Sequence, residues 1–372
     1  MIPACLSDDW TFWPERDDLS AEFARLLAAA QEGGATIAEC LLIARRIRRG
    51  DEVSWHGEWK NLAETNRARG DAALAAGHVV TAQRNWLRAI NYYNAAALPL
   101  EAADARRRDA VLAMQVCAQS FLAARDPAGE VVPLPWLTGH DLQGYFLPAP
   151  STGRPMPAVI CIGEPGHRKE EFLSKLAPHA RERGLSMLAV DLFGVQGDDF
   201  LEHILRRRHI ETSISAVMDY LCSRADVDFG RVAILADGWS SSFVARAVQH
   251  EPRLAAAVCD GGLWDLHERA FMSSRMMLSD ASLIPAPEAA LIARNIGCPV
   301  LITLGEDGWL KADRASRMVQ QSRGGRPDIT LKVFRAEETA ATQGHADNPG
   351  LANEYIFDWI ASRLGALPAE RA

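Results

Sequence analysis

The sequence predicts an α/β protein: a mainly parallel sheet of about eight strands, with helices on its faces, behind an all-helical N-terminal half. Two observations carry this. From Leu19 to about Ala124, apolar residues recur at spacings of three and four, the helical period. After Pro127 the period changes to short, continuous apolar runs separated by helical patterns, the composition of strands covered on both faces. A third observation points the same way: several runs end in glycine and acidic residues, as strands feeding functional loops do.

The helical half reads in order as AEFARLLAAAQEG, TIAECLLIARRIRRG, NLAETNRARGDAALAAG, TAQRNWLRAINYYNAAALPL and ARRRDAVLAMQVCAQSFLAA. The first three end near a glycine that can close a helix. No repeated motif marks a solenoid. In the second half VVPLPW and GYFLPAP read as edge strands, where proline is tolerated. PAVICIG, LSMLAVD, RVAILAD, LAAAVCDG, PVLITLG and ITLKVF follow as core strands. The expected domains are residues 1–128, a helical cap and dimerisation domain, and residues 129–372, the sheet domain.

The chain has 372 residues with 48% hydrophobic and 24% charged, enough for a large globular core. A net charge of -8, with arginines spread among acids, argues against a nucleic-acid groove; the run Arg206-Arg207-Arg208 reads as solvated surface. No basic region followed by an apolar run opens the chain, and no apolar stretch reaches the ~20 residues of a membrane span. The seven cysteines are scattered and odd in number, which indicates neither a disulfide framework nor a metal cluster. These features lead us to expect a cytoplasmic protein without metal, nucleic-acid or membrane partners.

Chemistry is expected where the strands end. CIGEPGHRKEE follows a strand, and N–H groups around Gly163 and Glu164 could face an oxyanion; its spacing is not that of a dinucleotide loop. VDLFGVQGDD, with Asp191, Gly194 and Gly197, reads as a structural turn. AILADGWSSSF joins a buried strand to a helix and comes close to G-x-S-x-G without matching it. Asp307 in LGEDGW and His345 in ATQGHADNPG come later. A nucleophile, then an acid, then a histidine is the chain order of α/β-hydrolase triads, in which the histidine takes the nucleophile's proton and the acid fixes its tautomer.

On these stretches, together with SWHGEWKNLAE and GHVVTAQRNWLRAINYYNAA, nearly the whole chain resembles the α/β-hydrolases that include 2,6-dihydroxypseudooxynicotine hydrolase and FrsA-like esterases. The resemblance implies an α/β-hydrolase fold and a cofactor-free enzyme. It implies cleavage of an ester, or of a carbon–carbon bond next to a carbonyl, in a small aromatic or polyketide-like compound. It also implies a substrate held between core and helical domain, and a homodimer. His345 matches the triad histidine. Asp307 is nearest to the triad acid, although the usual spacing from Gly305 falls on Gly308.

At the elbow, ungapped alignment puts the serine position on Gly238. Three catalytic readings stay open. Ser240 is the nucleophile of a strand two residues longer; or Asp237 acts as nucleophile or base; or general acid–base chemistry works without a nucleophile, with an oxyanion site near Trp239 and Glu164. The third admits a non-hydrolytic isomerase, cyclase or lyase, and a non-catalytic scaffold is a further alternative. In the helical half, Trp55, His56, Glu58, Trp59, Trp86, Tyr92 and Tyr93 could line a pocket for an aromatic guest, with His56 and Tyr93 as the polar candidates. Arg275, Met276 and Met277 could line the same cavity.

Overall fold

The computed structural model describes residues 12–13, 15–137, 140–150, 153–163, 168–192, 212–238, 240–262, 297–322 and 328–366. The chain divides into two compact units, Met1–Glu130 with Glu170–Pro178, and Val131–Lys169 with His179–Ala372.

The first unit is helical: α1 (Asp17–Ala29), α2 (Ile37–Ala44), α3 (Glu52–Ala75), α4 (Val79–Ala97) and α5 (Ala105–Ala123), joined by the short α6 (Phe172–Lys175) from later in the chain. Helix α3 begins well before Asn61, because Asp51 caps it by accepting the Ser54 N–H at 2.9 Å. That early start winds SWHGEWK into the helix and turns its large side chains inward. Ring centroids step from Trp13 to Trp55 at 5.2 Å, to Trp59 at 5.8 Å and to Tyr92 at 5.6 Å, all buried. Each ring contributes apolar burial plus ~0.5–1.5 kcal/mol of ring–ring contact. Gly70 lets α3 approach α4, since a Cβ there would lie 2.6 Å from the Trp86 Nε1.

Several polar groups of this unit are tied down. Trp55 Nε1 donates to the Ala95 carbonyl at 2.7 Å, and His56 Nδ1 pairs with the Ala96 carbonyl at 2.9 Å. These are carbonyls of the last turn of α4, where intrahelical donors run out; Ala95 also accepts the Leu98 N–H at 3.3 Å. Arg25 reaches Glu22 at 2.7 Å, Glu171 at 3.3 Å and Asn91 at 2.9 Å, fastening α6 to α1 and α4. Burial pushes the Tyr93 phenol up to about 12, reinforced by Cys117 and opposed by Arg67.

The second unit holds an eight-stranded sheet in the order β1-β2-β4-β3-β5-β6-β7-β8. Its strands are β1 (Glu130–Leu137), β2 (His140–Leu147), β3 (Met156–Ile162), β4 (Ser186–Val190), β5 (Val227–Ala236), β6 (Ala256–Asp260), β7 (Val300–Gly305) and β8 (Ile329–Phe334). Strand β2 runs antiparallel to β4, and every pairing from β4 through β8 is parallel. Strands β4, β6 and β7 are buried at every residue, as continuous apolar runs require. Just past β4, Asp191 accepts the Lys169 backbone N–H at 2.8 Å and its ammonium at 2.7 Å, and that ammonium lies 4.9 Å from the Tyr145 ring centroid. This buried clasp fixes the segment after β3 and gives Asp191 a structural role; Gly194, Gly197, Arg206-Arg207-Arg208, Arg275, Met276 and Met277 lie outside the described residues.

Candidate active site

Parallel strands deliver their carboxyl ends to one edge of the sheet, and the polar residues collect there. Strand β5 ends at Ala236, and the Asp237 N–H still donates to the Ile162 carbonyl at 3.0 Å. Gly238 then turns the chain with φ +57°, and helix Ser240–His250 begins two residues later. The apex of this strand–turn–helix is therefore glycine, which adopts that φ without strain. Gly261, at the end of the neighbouring β6, lies close beneath it: a Cβ on Gly261 would come within 2.9 Å of the Gly238 Cα.

The serines of the GWSSS stretch that are described look away from the apex. Ser240 is fully buried and donates its hydroxyl to the Gly163 carbonyl at 2.8 Å. Ser241 donates to the carbonyls of Asp260 at 3.0 Å and Ala236 at 3.2 Å. These carbonyls stand where strands end and ladder partners run out, so the hydroxyls satisfy them. Asp237 is buried beside the turn at 5% exposure.

His345 belongs to a short turn, Gln343–His345, after β8. Its loop carries positive φ at Thr339, Ala340 and His345, at 64°, 58° and 55°, which are the non-glycine positive values among the described residues. Such backbone costs ~1–3 kcal/mol per residue and tends to gather at functional sites. Asp347 holds the loop, accepting from the Ala341 and Thr342 N–H groups at 3.0 and 3.1 Å and from the Thr342 hydroxyl at 2.7 Å. Gly305 lets the loop press onto β7, where a Cβ would overlap the Ala341 carbonyl.

The imidazole is 2% exposed and packs edge-on against Phe334 at 4.9 Å. Nδ1 meets the Ala340 carbonyl at 2.6 Å, and Nε2 meets Asp260 Oδ1 at 2.9 Å. A carbonyl only accepts, so Nδ1 carries a hydrogen. Nε2 then faces the carboxylate at hydrogen-bond distance. Thr303 stands opposite Asp260 in the β6–β7 register and donates its hydroxyl to the same Oδ1 at 2.8 Å.

The acid bonded to His345 is thus Asp260. Asp307 is exposed in the Gly305–Gly308 turn, and its backbone N–H donates to the Ala341 carbonyl at 2.9 Å. Sequence reasoning passed over Asp260 and Thr303; the one trace of Asp260 was a carboxylate closing a buried apolar run before two glycines, whose φ of +98° and +93° only the structure shows. Cys259, next to Asp260, is no thiolate, because burial, then Cys298 and Asp260, push it up to about 12. Glu164 and Trp239, named for the oxyanion site, lie outside the described residues, while Gly163 accepts the Ser240 bond. His56 and Tyr93 belong to the helical unit. Among the described residues no cluster of metal-ligating side chains occurs, and no helix is long and apolar enough to cross a membrane.

Sheet order, strand directions and the elbow between β5 and its helix define an α/β-hydrolase-fold protein. Its structure resembles that of 2,6-dihydroxy-pseudo-oxynicotine hydrolase, with a TM-score of 0.73 over 91% of this chain and 95% of that one, at 19% identity. It also resembles AbyA5, with a TM-score of 0.66 over 94% and 95% of the two chains, at 17% identity. No protein-family model matches the chain. In sequence it is similar to the hydrolyase poxO of Penicillium oxalicum, 30% identical over 260 residues, covering 66% of this chain and 60% of the other. It is also similar to the 20-hydroxy-prefusarin hydrolase FUS2 of Gibberella moniliformis, 30% identical over 262 residues, with 68% and 62% covered. The alpha/beta hydrolase xenA of Xenoacremonium sinensis is 28% identical over 279 residues, with 71% and 65% covered. The matches span about three fifths of the length of these relatives.

Proposed function

We propose that the protein is a cofactor-free enzyme of the α/β-hydrolase fold. In this reading it cleaves an ester, or a carbon–carbon bond next to a carbonyl, in a small aromatic or polyketide-like compound of secondary metabolism. The observation that carries this is the buried Asp260–His345 pair at 2.9 Å, set beside a glycine elbow apex. A carboxylate hydrogen-bonded to an imidazole serves general acid–base chemistry, and a glycine apex leaves room for water where a serine would stand. Hydrolysis adds the water's hydroxyl to the carbonyl carbon and its proton to the departing oxygen or carbon. The hydrolase names and substrates of the similar proteins support this choice of substrate class.

The test is turnover of a panel of aryl esters and aromatic 1,3-diketones in ¹⁸O-labelled water, with products read by mass spectrometry. Label in the acid product supports hydrolysis; no turnover of any member counts against the reading. Gly238 favours one second reading, a non-hydrolytic isomerase, cyclase or lyase, which would give product without label. A homodimer is part of the proposal, supported by the exposed Ile37, Leu42, Val53 and Leu112 on helices of the first unit. A reducing, cytoplasmic setting is supported by the described cysteines, all free thiols.

A further inference from the structure

We infer that Asp260, through Oδ2, is the group that meets the substrate, and that His345 is the residue that positions it. The inference rests on the bond-cleaving reading above and assigns its base and substrate class. In a serine triad the acid orients the histidine through Nδ1, and Nε2 faces the nucleophile. Here both contacts are changed. Nδ1 is held by the Ala340 carbonyl at 2.6 Å, and Nε2 is turned on Asp260 at 2.9 Å. The relay therefore runs from backbone to imidazole to carboxylate and ends on the carboxylate.

Among the described residues both bonds to the Asp260 side chain, from Thr303 and His345, fall on Oδ1. Two donors on one oxygen fix the plane of the carboxylate and leave Oδ2 for chemistry. The side chain is 8% exposed, desolvated but not sealed. The next residue, Gly261, touches the elbow apex, which puts Asp260 beside the place where this fold offers its nucleophile. Other candidate groups are committed elsewhere: the Ser240 and Ser241 hydroxyls donate to carbonyls, Cys259 is protonated, and Asp307 is exposed. Asp237, buried beside the turn, is the rival that carboxylate labelling separates from Asp260.

The step balances without a covalent intermediate. Oδ2 takes a proton from water as the water oxygen bonds to the substrate carbonyl carbon. The C–O or C–C bond then breaks, and its electron pair leaves with the departing oxygen or carbon. That atom collects the proton from Oδ2, restoring the carboxylate. A carboxylate that accepts two hydrogen bonds is a weak base, so the leaving group must be a stabilised anion. This restricts the substrates to phenolate-releasing esters and enolate-releasing 1,3-diketones.

The test uses 2-bromoacetophenone, an aromatic ketone that alkylates carboxylates. Oδ2 bonds to its methylene carbon, and bromide leaves with the C–Br electron pair. Peptide mass spectrometry of the native protein is expected to find the ester on Asp260, and Asp260→Asn is expected to remove it. His345→Gln, whose amide still donates to Oδ1, should retain labelling. His345→Phe should slow it about tenfold or more, because a carboxylate no longer held in its plane presents Oδ2 to the substrate less often. Loss of rate with both His345 variants alike would overturn the positioning role. An adduct on Asp237, Ser240 or His345, or none on the folded native protein, overturns the assignment of Asp260. Labelling at Asp260 without turnover of any ester or diketone upholds this assignment and sinks the bond-cleaving reading. Turnover that survives in Asp260→Asn does the reverse.

Discussion

Two buried histidines, His56 and His345, begin alike and end differently. Each pairs its Nδ1 with the backbone carbonyl of an alanine, Ala96 and Ala340, at 2.9 and 2.6 Å. His56 lies on a regular helix, and its bond serves a helix end that needs a donor. His345 lies on backbone with φ +55°, and its other nitrogen faces a carboxylate that a threonine also holds. Burial and one hydrogen bond do not mark a histidine of the site. A strained backbone and a charged partner on the second nitrogen do.

The comparison breaks most visibly in turnover. Replacing Asp260 with asparagine is expected to lower kcat by ~10²–10⁴-fold on any substrate the panel identifies, and His345→Ala by about tenfold or more, the loss of a group that positions the base. Steady-state kinetics on folded protein would check this, and wild-type rates in either variant would remove the pair from the chemistry. On the helical side the largest effect is on stability. Trp59→Ala empties the middle of the ring stack and should cost ~3–5 kcal/mol in urea denaturation, with kcat of the folded fraction retained.

His56→Ala addresses the comparison directly. It should cost about 1–3 kcal/mol, through the Ala96 carbonyl left buried without its donor, and leave kcat unchanged. A collapse of kcat at constant stability would instead bring His56 into the site. The smallest effect belongs to Ser240. Losing its bond to Gly163 should cost about 1 kcal/mol, and a fluorophosphonate should leave no stable adduct on it. A stoichiometric adduct at Ser240 would restore the serine mechanism.

The strands were legible because AVICI, SMLAV, VAILA and AAVC are buried on both faces, and such runs have no polar face to hide them. The long helices were legible by period. Trp55 and His56 were ambiguous for a physical reason: their partners are carbonyls at the end of α4, 40 residues away, and carbonyls leave no trace in side-chain pattern. Asp260 left only a faint trace for a related reason. An acid before two glycines reads as an ordinary turn, and the histidine that gives it meaning lies 85 residues on. Chain order drew attention to Asp307, although the usual spacing from Gly305 falls on Gly308; which way a turn residue faces is decided by the loop packed on it. Gly238 is the intermediate case: alignment places it at the serine position, and only the φ of +57° identifies it as the apex.

The excursion of residues 170–178 into the helical unit bears on how this chain is inherited. The polypeptide passes from one unit to the other three times, after Glu130, Lys169 and Pro178. No single cut releases either unit whole, and recombination at one boundary would strand Phe172 and Leu173, now 2% and 0% exposed, without the helices that share their unit. The helical half therefore cannot be exchanged like a bead on a string. Change in it must come residue by residue, with the nine-residue insert carried along inside the gene for the sheet.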